Sequence, residues 1–135
     1  MNKFSIFLLT FICLNIYSSD NSFSGSTAEG CGESSDWYDK VTGAYNTGAG
    51  CGALASLTSG YDNSAFGASA LYSNTEGSNN SAFGSYALTS NTTGSANTAF
   101  GTFSLLSNST GNSNIAIGYY ALTSNTTGSS NTALG

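Results

Sequence analysis

The sequence predicts an all-β fold, a parallel β-solenoid built from 17-residue coils, and three observations predict it. The block Asn-x-(Ala/Gly)-apolar-Gly begins at Asn46, Asn63, Asn80, Asn97, Asn114 and Asn131, always 17 residues apart, and closes on Gly50, Gly67, Gly84, Gly101, Gly118 and Gly135. A second glycine series (Gly60, Gly77, Gly94, Gly111, Gly128) and a leucine series (Leu54, Leu71, Leu88, Leu105, Leu122) keep the same period without insertion or deletion. Fixed self-similarity at such a period marks a stacked repeat architecture. Finally, the repeats have two glycines each, β-branched and aromatic residues between them, no proline and no 3.6-residue apolar spacing, which excludes helices and suits short strands.

Each part of the coil has a local reason. In Asn97-Thr98-Ala99-Phe100-Gly101, strand alternation puts Thr98 and Phe100 on one side and Ala99 on the other. The closing glycine predicts a bend or bulge, the residues around the leucine a second strand, and Ser107-Asn108-Ser109-Thr110-Gly111 a turn. Stacked in register, equal positions lie ~4.8 Å apart as ladders. Asn63, Asn80, Asn97 and Asn114 then form an amide ladder beside the structural glycines Gly67, Gly84, Gly101 and Gly118. Phe66, Phe83, Phe100, Ile117 and Leu134 are expected as one row of the core, and the leucines as another.

Ahead of the array, residues 1–19 carry Lys3, a mostly apolar run from Phe4 to Tyr17 and then Ser18 and Ser19, the layout of a secretory signal peptide cleaved near Ser18. Residues 20–45 hold Asp20, Glu29, Glu33, Asp36 and Asp39 with Trp37 and Tyr38, an acidic leader expected to cap the open end of the array of residues 46–135. A secreted or cell-surface location follows. Cys13 leaves with the signal, so the exported chain keeps Cys31 and Cys51, either as a disulfide tying the leader to the first coil or as two free thiols.

Composition excludes several functions. Charged residues are 7% of the chain and the only cations are Lys3 and Lys40, so no patch exists to neutralise nucleic-acid phosphates. From Val41 onward the only side-chain charges are Asp62 and Glu76, and they fall at different repeat positions, unlike the aspartates of a calcium-binding repeat. Without histidine, paired carboxylates or a base near any serine, no catalytic site, metal site, cofactor or small-molecule substrate is expected. Asn79, Asn91, Asn108 and Asn125 each open an Asn-x-Ser/Thr glycosylation sequon, competing with turn or ladder duty.

The blocks NTAFG and NIAIG, each followed two residues on by Ser-Leu or Ala-Leu, resemble the head repeats of trimeric autotransporter adhesins, and are also similar to fibre-type repeats of phages and large viruses. The resemblance spans residues 46–135 and implies a left-handed β-roll assembled as a homotrimer, with the coil here somewhat longer than the family's. No neck, stalk or membrane barrel follows the repeats, and Gly135 closes a repeat motif, as expected of a truncated array. The implied role is a rigid adhesive spacer for host or matrix partners, with Tyr72, Tyr86, Tyr119 and Tyr120 either as contact residues or packed between chains. The alternatives are a passive wall, coat or fibre element, and an ice or crystal binder using Thr75, Thr92, Ser109 and Thr126.

Overall fold

The computed structural model describes residues 22–24 and 41–135. The expected signal sequence, most of the acidic leader and Cys31 lie outside them. Seven three-residue strands run in chain order: β1 (Ser22–Ser24), β2 (Thr47–Ala49), β3 (Ser64–Phe66), β4 (Ser81–Phe83), β5 (Thr98–Phe100), β6 (Ile115–Ile117) and β7 (Thr132–Leu134). They form one parallel sheet in that same order. Register follows the repeat: Ala65 pairs with Ala82, Ala82 with Ala99, and Ala99 with Ala116. The molecule is therefore a parallel β-solenoid, with β1 of the leader adding a strand beside the first repeat. Among the described residues there is no helix.

The core differs from the sequence expectation in one respect. The leucine row does point inward, with Leu54, Leu71, Leu88 and Leu105 fully buried. The strand residue that joins it is the alanine, Ala65, Ala82, Ala99 and Ala116, so the row from Phe66 to Leu134 faces outward instead. The interior of a 17-residue coil is narrow, and it already holds one leucine, one further small residue and two asparagines per turn. Alternation leaves the inward strand position to a methyl group and turns the ring away.

The expected second strand is also absent, and the left-handed backbone explains why. After the glycine bend, positive φ recurs at alternate residues: Gly84 (139°), Tyr86 (59°) and Leu88 (52°), with the same pattern in the coils on either side. Across this stretch the N–H groups change over from the preceding coil to the following one. Tyr86 N–H donates to Ala68 O of the preceding coil at 2.8 Å, and Leu88 N–H to Ser104 O of the following one at 3.0 Å. A leucine in this region is an outlier costing about 1–2 kcal/mol. Burying its side chain contributes about as much, which is why the strain is tolerated.

Each coil ends in a convergent turn. The N–H groups of Thr75, Glu76 and Gly77 all aim at Thr92 O, at 3.0, 3.1 and 3.2 Å, and the Thr75 hydroxyl joins them at 3.2 Å. Successive N–H groups folded into such a concavity make a site for an anionic or strongly polar oxygen. Here a carbonyl of the next coil fills it, so the turn is also a coil-to-coil joint.

Candidate contact surface

What faces outward is decided by what the interior consumes. Two asparagine ladders run along the array, one from Asn46 to Asn131 and a shorter one from Asn74 to Asn125, with Leu57 in its place in the first coil. In the first, Asn80 Oδ1 accepts the backbone N–H of Asn97 at 3.0 Å and its Nδ2 at 3.2 Å, and Asn97 Nδ2 also reaches Gly111 O at 2.8 Å. The same bonds recur through Asn46, Asn63, Asn114 and Asn131. In the second, Asn108 Nδ2 donates to Asn91 Oδ1 at 2.9 Å and to Gly111 O at 3.0 Å. Both ladders thus fasten the same glycine carbonyl. No buried side-chain oxygen or nitrogen among the described residues lacks a partner.

These contacts settle the duty of three sequon asparagines in the folded chain. Asn91 and Asn108 are fully buried, and Asn125 donates its Nδ2 to Asn108 Oδ1 and Gly128 O. Asn79 instead is exposed on a turn at φ 58°. Similarly, the hydroxyls of Thr75, Thr92 and Ser109 donate to carbonyls of the next coil, so that column is engaged in stacking.

Two apolar surfaces remain outside. The first is the outer face of the sheet, where Phe66, Phe83 and Phe100 stack with ring centroids 5.0 and 5.7 Å apart and continue into Ile117 and Leu134. Phe100 is 57% exposed, and Ile115 adds a second branched side chain beside Ile117. No charged side chain occupies either outward strand position, in keeping with the sparse charge of the array. Contiguous exposed apolar surface of this kind is a feature of interaction sites.

The second surface lies beyond the glycine bend. Tyr86 stacks on Phe103 at 5.4 Å, Phe103 meets Tyr120 at 4.9 Å, and Tyr119 stands edge-on to Tyr120 at 4.5 Å. Desolvation, then the hydrogen bond and the charge interaction with Tyr120, push the Tyr119 phenol above its ordinary value. Of the four tyrosines singled out from sequence, three therefore converge. Tyr72 stands apart, its ring against Gly52. Phe103 was missed, although its place 17 residues after Tyr86 and before Tyr120 was the available signal.

Among the described residues no three histidine, cysteine or carboxylate side chains gather where a metal could sit, and no helix is long and apolar enough to cross a membrane. No family model, curated protein or solved structure matches the chain.

Proposed function

We propose that this chain is a secreted or cell-surface structural and adhesive element, in which the solenoid is a rigid spacer and its outer surfaces make the contacts. The observation that carries the reading is the pairing of a fully satisfied polar interior with an uncharged, apolar outer row running along the stack. Rigidity comes from the ladders, and the apolar row supplies a face that water covers poorly. The handedness, the assembly and the disulfide belong to the same proposal: a left-handed β-roll, associated laterally as a homotrimer, with Cys51 bridged to Cys31 so that the leader is held on the first coil.

Within it, the tyrosine cluster meets host or matrix partners, since tyrosine offers large amphipathic area at low entropy cost. The passive wall, coat or fibre element is the second reading, favoured by the same interior. Ice or crystal binding loses support because the Thr75, Thr92 and Ser109 hydroxyls already bond the next coil. Light scattering on the purified chain is expected to give a trimer, and a monodisperse folded monomer contradicts the assembly. Retention of the chain on cells or matrix, absent from a Tyr86→Ser/Tyr119→Ser/Tyr120→Ser variant, separates adhesion from passive structure.

A further inference from the structure

Residues 41–135 contain no lysine, glutamine, histidine, tryptophan or methionine. A glutamine–lysine amide cross-link between coils is therefore excluded. With tryptophan, histidine and methionine absent as well, the phenols are the side chains of residues 41–135 that a one-electron oxidant attacks most readily. Six tyrosines lie here, Tyr45, Tyr61, Tyr72, Tyr86, Tyr119 and Tyr120, and every one is exposed, while leucine, alanine and asparagine take the interior. Such uniform exposure keeps the phenols at the surface, where a second chain can reach them.

One position among the six is distinct. Tyr119 and Tyr120 form the one tyrosine–tyrosine ring contact among the described residues, at 4.5 Å, and Tyr119, at 67%, is the most exposed of the described tyrosines. Phe103 packs behind both rings and separates them from Tyr86, so coupling within the Tyr86 column is blocked by a ring that does not oxidise readily. We propose that the Tyr119–Tyr120 pair is an oxidative coupling site that joins this chain to a second copy through dityrosine. The inference rests on the exported, self-associating reading above.

The chemistry balances with hydrogen peroxide as oxidant and a haem peroxidase to deliver it. Each of two phenols, one on either chain, gives up one electron and one proton. The two tyrosyl radicals then form a carbon–carbon bond between ring carbons ortho to oxygen, and each ortho hydrogen moves to oxygen as the ring re-aromatises. The two electrons and two protons reduce one peroxide to two waters. Contact between Tyr119 and Tyr120 lets a radical formed on either ring pass to the more exposed one.

The test uses the full chain treated with peroxidase and limiting peroxide, read by denaturing gel, dityrosine fluorescence and peptide mass spectrometry. The expected result is a covalent dimer whose linked peptides carry Tyr119 or Tyr120. A Tyr119→Phe/Tyr120→Phe variant, which keeps the ring packing, loses most of that dimer with an unchanged circular dichroism spectrum. Dimer formation in that variant at the wild-type level, or links mapping to Tyr45, Tyr61 or Tyr72, overturns the inference. Light scattering before oxidation reports separately on self-association, so the two readings fail independently.

Discussion

At the scale of single residues, the fold rests on non-glycine residues at positive φ and on buried amides that all have partners. Ala96 holds φ 57° in a column shared with Asp62, Asn79 and Ser113, all at positive φ. Asparagine enters this region more easily than alanine, so Ala96→Asn is expected to raise stability by about 0.5–1 kcal/mol, measured as a higher thermal midpoint. Asn97 gives the opposite case. Its Nδ2 faces Asn80 Oδ1 at 3.2 Å and Gly111 O at 2.8 Å, so Asn97→Asp sets a carboxylate oxygen against two acceptors. A loss of about 3 kcal/mol or more at pH 7 is expected, since the buried charge has no partner. Burial raises the folded carboxyl above its unfolded value of about 3.9, so stability falls as pH rises past that value and partly returns below it. Urea titrations of this variant at low and neutral pH check the sign.

At the scale of the coil, the glycines and the ladders require one another. A Cβ on Gly94 would lie 2.4 Å from Asn91 Oδ1 and 2.5 Å from Gly111 O, both held in place by the Nδ2 of Asn108. Gly94→Ala is therefore expected to prevent stable folding of the central coils, whereas Thr93→Ala, one residue away and exposed, changes the thermal midpoint little. This dependence also explains what could be read in advance. The period, the asparagine ladder, the leucine row and the strand at Thr98–Phe100 were legible because ladders need the same residue at the same place in every coil. The outward phenylalanines were not, because alternation gives two faces and does not say which is wet. Only the small internal width, set by Asn and Leu together, chooses the alanine. The left-handed leucines escaped as well, since nothing local in an Ala-Leu pair favours positive φ and the stacking bonds alone impose it.

At the scale of the molecule, each coil bonds its two neighbours and little else, so stability accrues along the axis as in other repeat arrays. Seven strands at ~4.8 Å spacing make a rod about 29 Å long, filled by leucine, alanine and hydrogen-bonded asparagine within, and apolar along its outer sheet face. Such an exposed apolar row joins the fold to its proposed role, because a rod that carries one is suited to lie beside another surface.

Amide hydrogen exchange resolved by residue tests the stacked coil most directly. The account predicts slow exchange recurring every 17 residues at Ser64, Ser81, Thr98 and Ile115, whose N–H groups donate to the asparagine carbonyls of the next coil, and at the Nδ2 groups of Asn80 and Asn97. Uniformly fast exchange from Asn46 onward, or protection without that period, would contradict it.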